Sequence, residues 1–321
     1  MTDLIGVAAC DRFDLVDLYG PACAARGLRL LRPGELADPA AVTFALAFQP
    51  GDAAFAPYPN LRAVIGIGAG VERILACPSR PAGAPVIRQT DADQADQMAG
   101  FALWHVVYWH RRFDHMLAAQ ADGRWLSGAG AQPGDGAWPG PSPKDFPVGV
   151  LGFGFLGRRV AEAALALGYP VRTFSRGAPE PLPGAEHFHG DALDAFLGGA
   201  RALVAVLPHT PATEGLLDRR LFAALPPGAV VVNIGRGAHL VEEDLIAALD
   251  AGHLAGASLD VFRTEPLPAD HPFWRDPRIV VTPHAASDAP AENVAATARA
   301  ALDALARGER PRGLVDESAG Y

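Results

Sequence analysis

Apolar residues gather in short runs along this chain, separated by longer stretches in which they return at helical spacing. The runs fall at 4–9, 41–48, 63–67, 85–88, 148–151, 171–174, 202–207, 229–234, 257–260 and 279–281. Continuous apolar runs of that length fit strands buried on both faces. Helical stretches stand between most of them, for instance 242–251 ahead of Gly252. Strand and helix in alternation predict parallel sheets with helices on both faces. The runs split into two groups, so the predicted fold class is α/β with two doubly wound parallel-sheet domains. Between the groups lie one long helix, 93–121, and a Gly/Pro-rich stretch, 123–147, that holds Trp125 and Trp138. That stretch is too long for an ordinary connection, and its two indoles predict an ordered interface arm around 110–147, packed on a second subunit. A last helix, 289–308, follows the final run; the sequence does not decide which group it packs on.

One connection carries chemistry. The run Val148-Gly149-Val150-Leu151 leads into Gly152-Phe153-Gly154-Phe155-Leu156-Gly157, after which Val160, Ala161, Ala164, Leu165 and Leu167 recur at helical spacing. Strand, glycine turn and helix are the setting in which GxGxxG binds a dinucleotide. Gly152 permits the tight turn, Gly154 lets backbone approach a pyrophosphate, and Gly157 lets helix and strand pack closely. The helix N-terminus offers N–H groups and a positive dipole end, and Arg158 and Arg159 are expected to add charge there. The next strand ends in Ser175-Arg176, and no acid appears until Glu180. An NAD site places an acid near that point for the ribose 2′-OH. A hydroxyl followed by a guanidinium instead suits a 2′-phosphate, so the expected cofactor is NADPH, with NADH as the alternative.

Composition narrows the class. The 321 residues carry 27 Lys plus Arg against 36 Asp plus Glu, a net charge of −9, which argues against a nucleic-acid surface. Cys10, Cys23 and Cys77 show no metal-ligand spacing and predict reduced thiols in a cytoplasmic protein. The start, Met1-Thr2-Asp3, lacks the basic character of a signal peptide, and no apolar run reaches membrane-spanning length, so no membrane partner is expected.

Three further residues follow successive apolar runs. Arg236 lies in Asn233-Ile234-Gly235-Arg236-Gly237, Glu265 in Asp260-Val261-Phe262-Arg263-Thr264-Glu265-Pro266, and His284 in Thr282-Pro283-His284-Ala285-Ala286. Each sits where a strand ends at its carboxyl edge, the ligand-binding edge of open α/β sheets. Reduction of a 2-oxo acid needs a cation to hold the carboxylate and polarise the carbonyl. It needs an acid to protonate the new alkoxide, a task for His, and a carboxylate that favours the imidazolium. Arg236, His284 and Glu265 supply that set.

With these residues in view, the chain resembles the D-isomer-specific 2-hydroxyacid dehydrogenase family, and within it the glyoxylate/hydroxypyruvate reductase A branch. The resemblance runs through Leu207-Pro208-His209-Thr210-Pro211-Ala212-Thr213, Asp260-Val261-Phe262, Glu265-Pro266-Leu267-Pro268, Trp109-His110-Arg111-Arg112-Phe113-Asp114 and the ending Gly320-Tyr321. It implies a flavodoxin-like substrate domain, 1–95 with 290–321, and a Rossmann NAD(P)-binding domain, 96–289. It implies that Arg236, Glu265 and His284 are catalytic, and that the backbone of Gly68-Ala69-Gly70 binds the substrate carboxylate together with Arg236 and His284. The implied cofactor set is Gly152, Gly154, Phe155, Leu156, Gly157, Ser175, Arg176, Leu207, Pro208, Thr213, Ile234, Gly235 and Asp260. Of these, Leu207-Pro208 lies along the cofactor and Asp260 holds the nicotinamide carboxamide. A homodimer through the helical arm is implied as well. Two departures stand out: Phe48 where the branch often has Trp, and no Glu near Gly100.

The implied activity is NADPH-dependent reduction of small 2-oxo acids, glyoxylate and hydroxypyruvate, to 2-hydroxy acids. The rival readings are a dinucleotide-sensing binding protein of the same fold and a dehydrogenase for a larger 2-hydroxy acid. Formate dehydrogenase relatives usually carry Gln where Glu265 stands. His187 and His189, two apart, lack further partners for a metal, and no GxSxG is present.

Overall fold

The apolar runs become strands of two parallel sheets in the computed structural model, which describes residues 4–126, 142–318 and 320. Two compact units result: residues up to Gln94 together with those from Asp288 onward, and Ala95–Ser287.

In the first unit, β1 (Leu4–Ala9), β2 (Leu28–Leu31), β3 (Phe44–Ala47), β4 (Ala63–Gly66) and β5 (Val86–Ile87) form a five-stranded sheet in the order β2-β1-β3-β4-β5. The pairings between these strands are parallel. This is the flavodoxin-like order, with its switch point between β1 and β3. Helix α1 (Leu15–Ala24) is started by Asp14, whose carboxylate accepts from the N–H groups of Val16 and Asp17. A single turn, α2 (Glu72–Leu75), follows β4.

Helices α3 (Ala92–His110) and α4 (Phe113–Ala121) lead into the second unit. The sequence pattern predicts one helix here. The break falls at Arg112, which takes a left-handed conformation, φ 55°, and turns its guanidinium onto Asp114 at 2.9 Å. Trp109 lies against the strand Leu254–Leu259: its Nε1–H donates to Ser258 Oγ at 2.9 Å, and a Cβ at Gly256 would meet the indole at 2.3 Å. His110 stacks on Phe146 and shares a 2.9 Å hydrogen bond with the Tyr169 hydroxyl. The expected arm around 110–147 falls partly outside the described residues; Trp138 lies there, and Trp125 is 93% exposed.

Strands β6 (Val148–Leu151), β7 (Val171–Ser175), β8 (Ala185–His189), β9 (Ala202–Ala205), β10 (Ala229–Asn233), β11 (Leu254–Leu259) and β12 (Ile279–Val281) form the second sheet. Its order is β12-β11-β10-β9-β6-β7-β8 and its pairings are parallel. Counted from β6, the strands reproduce the Rossmann order, with the reversal between β6 and β9. Alternate side chains serve opposite faces. Val204 and Val232 join the core under α3 and α5 (Phe155–Ala166), while Leu203 and Val231 join the core under α6 (Leu193–Leu197), α7 (Arg219–Ala224) and α8 (Glu242–Asp250). That two-sided burial is why the strands read as unbroken apolar runs. The last helix, α9 (Ala291–Ala306), belongs to the first unit and packs on α1 through Val294, Ala295, Ala298 and Ala301. Among the described residues no helix is long and apolar enough to cross a membrane.

Two buried histidines give the fold a pH dependence. His105 lies among Phe101 and Trp104, its Nδ1 without a hydrogen-bond partner among the described residues, and His239 is fully buried. Burial pushes both imidazoles down to about 4, so each ring is neutral in the folded chain near neutral pH. A depressed folded value means that the unfolded chain binds more protons between the ordinary value of about 6.5 and about 4. Stability is therefore fully present above that window and falls as the pH drops through it, by up to about 2.7 kcal/mol per pH unit for two such groups. Urea midpoints at pH 7 and pH 5 will show the drop, and His105→Leu will remove about half of it. An unchanged drop in that variant would assign the loss to other groups.

Candidate active site

The carboxyl ends of the second sheet hold most of the residues that the sequence points to. At the reversal between β6 and β9, Gly152 turns with φ 102°, and a Cβ there would lie 2.5 Å from the Val206 carbonyl oxygen. A Cβ at Gly157 would lie 1.9 Å from the Gly152 carbonyl oxygen, so α5 and the turn touch backbone to backbone. Gly154, the residue before α5, has nothing within 4 Å of its would-be Cβ. Gly152 and Gly157 are therefore demanded by the fold. Gly154 instead borders open space at a helix N-terminus, where unpaired N–H groups favour an anion. Phe155 is exposed and Leu156 half-buried beside it.

The two arginines after the turn do not serve that space. Arg158 reaches Glu162 and the Glu180 carbonyl oxygen, and Arg159 pairs with Asp96 and Glu162. Their places on α5 send them to neighbouring carboxylates and to the loop after β7. Ser175 ends β7 and donates to the Gly177 carbonyl oxygen at 2.7 Å; Arg176 beside it is exposed.

After β9, Leu207 and Pro208 open a loop closed by Thr213. The Thr213 hydroxyl accepts from the Thr210 N–H at 2.9 Å and donates to the Pro208 carbonyl oxygen at 2.8 Å. At the end of β10, Asn233 is fully buried; its Oδ1 accepts from the Gly235 N–H and its Nδ2 donates to the Arg236 carbonyl oxygen at 3.0 Å. Ile234 is buried with it. The Arg236 guanidinium donates through Nη1 to the Gly235 carbonyl oxygen at 2.7 Å.

After β11 and β12, Glu265 and His284 meet. Glu265 Oε2 lies 2.9 Å from His284 Nδ1, and its Oε1 accepts from the Phe262 N–H at 3.0 Å. Burial pushes the Glu265 carboxyl up, but the hydrogen bonds from His284 and Phe262 and the nearby charge of Arg236 outweigh it and leave it below its ordinary value. Glu265 is thus held as a carboxylate. His284 stands at φ 54°, a backbone region that non-glycine residues seldom adopt. Its N–H donates to the Asp260 carbonyl oxygen at 2.8 Å. The buried Asp260 carboxylate accepts from Thr282 Oγ1, the Ala285 N–H and the Ala286 N–H at 2.7, 2.9 and 3.0 Å. Asp260 therefore anchors the His284 loop, a task that its place in the sequence does not reveal.

Gly68-Ala69-Gly70 follows β4 at the carboxyl end of the first sheet and is half-buried. The buried Gln89 holds this segment, donating from its backbone N–H to the Gly68 carbonyl oxygen at 3.1 Å and from Nε2 to that of Gly66 at 2.8 Å. Phe48, after β3, packs on Phe13 with ring centroids 5.4 Å apart, and Gly100 lies on an open face of α3. His187 has both ring nitrogens on protein partners, Thr173 Oγ1 and the Leu182 N–H.

The same site-bearing segment has known relatives. The family described as D-isomer specific 2-hydroxyacid dehydrogenase, NAD binding domain, matches residues 103–286. The chain belongs to the D-isomer specific 2-hydroxyacid dehydrogenase family. It is thus an enzyme of the dehydrogenase class, and the matched segment is the part that takes the nicotinamide dinucleotide. The chain is 41% identical over 301 residues to glyoxylate/hydroxypyruvate reductase A of Serratia proteamaculans, covering 92% of this chain and 91% of that protein. Among solved structures it is similar to a D-isomer specific 2-hydroxyacid dehydrogenase from Xanthobacter autotrophicus Py2, in complex with NADPH and MES. That likeness has a TM-score of 0.91 at 35% identity and covers 100% of both chains. An NADPH-dependent glyoxylate/hydroxypyruvate reductase from Sinorhizobium meliloti, in complex with NADP and sulfate, superposes with a TM-score of 0.89 at 29% identity, over 99% of this chain and 100% of that one.

Proposed function

We propose that this chain reduces small 2-oxo acids, glyoxylate and hydroxypyruvate, to 2-hydroxy acids with NADPH. The observation that carries the reading is the 2.9 Å pair of Glu265 and His284 at neighbouring strand ends, with Arg236 near enough for its charge to act on Glu265. Bound NADPH supplies the hydride that reaches the 2-carbon. Arg236 holds the substrate carboxylate and polarises the carbonyl. With Nδ1 on Glu265, the His284 nitrogen left for substrate is Nε2, which gives its proton to the developing alkoxide oxygen. Glu265, kept ionised, accepts from Nδ1 and orients the imidazole. The residues present fit the dinucleotide: Gly154 leaves room for a pyrophosphate at the N-terminus of α5, and Leu207, Pro208, Thr213, Ile234, Gly235 and Asp260 follow the carboxyl ends of β9, β10 and β11.

The choice of NADPH rests on Ser175 and Arg176 at the end of β7, with no acid before Glu180. A guanidinium on a 2′-phosphate contributes a charge-assisted contact, so Arg176→Ala will lower the NADPH/NADH preference ratio by about tenfold or more. An unchanged ratio would remove the residue from the site. We also infer a homodimer, supported by the exposed Trp104, Phe113 and Leu117 on α3 and α4; sedimentation will report two chains. A cytoplasmic setting is supported by three cysteines free of disulfides.

The direct test follows absorbance at about 340 nm, where the reduced nicotinamide absorbs, with NADPH or NADH and glyoxylate, hydroxypyruvate, pyruvate or phenylpyruvate. Rapid NADPH oxidation with the two small polar acids is expected. Tight NADPH binding with no oxidation on any acid would replace the reductase by a dinucleotide sensor.

A further inference from the structure

His239 joins two loops, the one that carries Arg236 and the one that Leu207 and Pro208 open. It follows Arg236 by a single tight helical turn, Gly237–His239, which folds the ring back beneath the Arg236 backbone. Its Nδ1 accepts from the Arg236 N–H at 3.2 Å, and its Nε2 lies 3.2 Å from the Pro208 carbonyl oxygen. An acceptor at Nδ1 and a carbonyl at Nε2 require one form of the ring, neutral with the proton on Nε2. Gly235 lies against the ring: a Cβ there would meet His239 Cε1 and the Leu207 carbonyl oxygen, each at 3.1 Å. The Arg236 backbone is thus held on both sides, its N–H by His239 and its carbonyl by Asn233. A leucine would fill much the same volume but make neither bond.

We propose that His239 is a positioning residue that ties the Arg236 backbone to the Leu207-Pro208 loop, so that the substrate-holding guanidinium and the cofactor-lining segment keep one register. The proposal rests on the reductase reading and adds to it a residue that touches neither substrate nor cofactor. Its two bonds can be separated by isosteric change. In His239→Asn the amide oxygen takes the place of Nδ1 and keeps the Arg236 bond, but the shorter side chain does not reach Pro208. In His239→Gln the amide nitrogen takes the place of Nε2 and keeps the Pro208 bond, but nothing accepts from Arg236.

The experiment uses the full chain and measures NADPH Kd by fluorescence titration beside steady-state kinetics with glyoxylate. His239→Asn is expected to weaken NADPH binding about tenfold while kcat stays within about threefold. His239→Gln is expected to keep NADPH binding within about threefold while kcat/KM for glyoxylate falls about tenfold or more. Equal losses in the two variants, whether of function or of the folded state, would overturn the proposal. A native chain that binds NADPH and reduces no 2-oxo acid would overturn the reductase reading and the Arg236 half with it. The NADPH Kd of His239→Asn would still decide the Pro208 half.

Discussion

Arg236→Ala is expected to lower kcat/KM for glyoxylate by about two to four orders of magnitude, roughly 3–5 kcal/mol of transition-state stabilisation, and to leave NADPH affinity within a few fold. The reason for the size is that a guanidinium both fixes the carboxylate and opposes charge growing on the carbonyl oxygen. The reason the variant keeps its fold is local. The backbone of Arg236 is held by His239 and Asn233, and neither bond involves the guanidinium. Once the side chain is gone, water can take its place on the Gly235 carbonyl oxygen. Steady-state kinetics and a melting curve on the same preparation check both parts. Turnover within about threefold of the native chain would mean that Arg236 does not hold the substrate.

Two glycines of one motif will both lose cofactor affinity when changed to Ala, but only one will lose stability. Gly157→Ala puts a methyl 1.9 Å from the Gly152 carbonyl oxygen, so α5 must move off the turn. Overpacking of that kind costs about 1–3 kcal/mol of stability, and the displaced turn should weaken NADPH binding by about a hundredfold. Gly154→Ala meets nothing within 4 Å, and its backbone, φ −89° and ψ −160°, is open to any residue. Its stability should stay within about 0.5 kcal/mol, yet the methyl enters the space proposed for a pyrophosphate, and NADPH Kd should rise about tenfold or more. Thermal melts beside cofactor titrations separate the two. A Gly154→Ala chain with native cofactor affinity would place the dinucleotide elsewhere.

The central strands are legible in the sequence because they are buried on both faces. Leu4–Ala9 and Val148–Leu151 appear in the structure with the bounds that their apolar runs predict. Strands β2 and β8 are not among the predicted runs, and both are sheet edges. Leu28-Arg29-Leu30-Leu31 keeps an exposed Arg29, and Ala185-Glu186-His187-Phe188-His189 is partly or fully exposed at every position, so neither shows a continuous apolar signal. The edge Ile279–Val281 stays legible because its three residues are all apolar. The break between α3 and α4 is hidden for another reason. Arg112 is a good helix former by propensity, and at the left-handed turn its guanidinium meets Asp114 and His115.

The candidate site divides in the same way. Residue types and strand-end positions bring Arg236, Glu265 and His284 into view, because a residue just past a parallel strand's carboxyl end faces the ligand edge whatever the neighbours are. Sequence alone also distinguishes Ser175-Arg176 from an acidic strand end. The partners of those groups were decided by the tertiary structure. Glu265 meets His284 across 19 positions, and His239 meets Pro208 across 31. Asp260 turns inward to three donors of the His284 loop. Such bonds depend on the order β12-β11-β10-β9 and on the register between adjacent strands. A one-residue shift in register would carry each donor past its acceptor, since hydrogen bonds fail beyond a few tenths of an ångström while the apolar pattern survives.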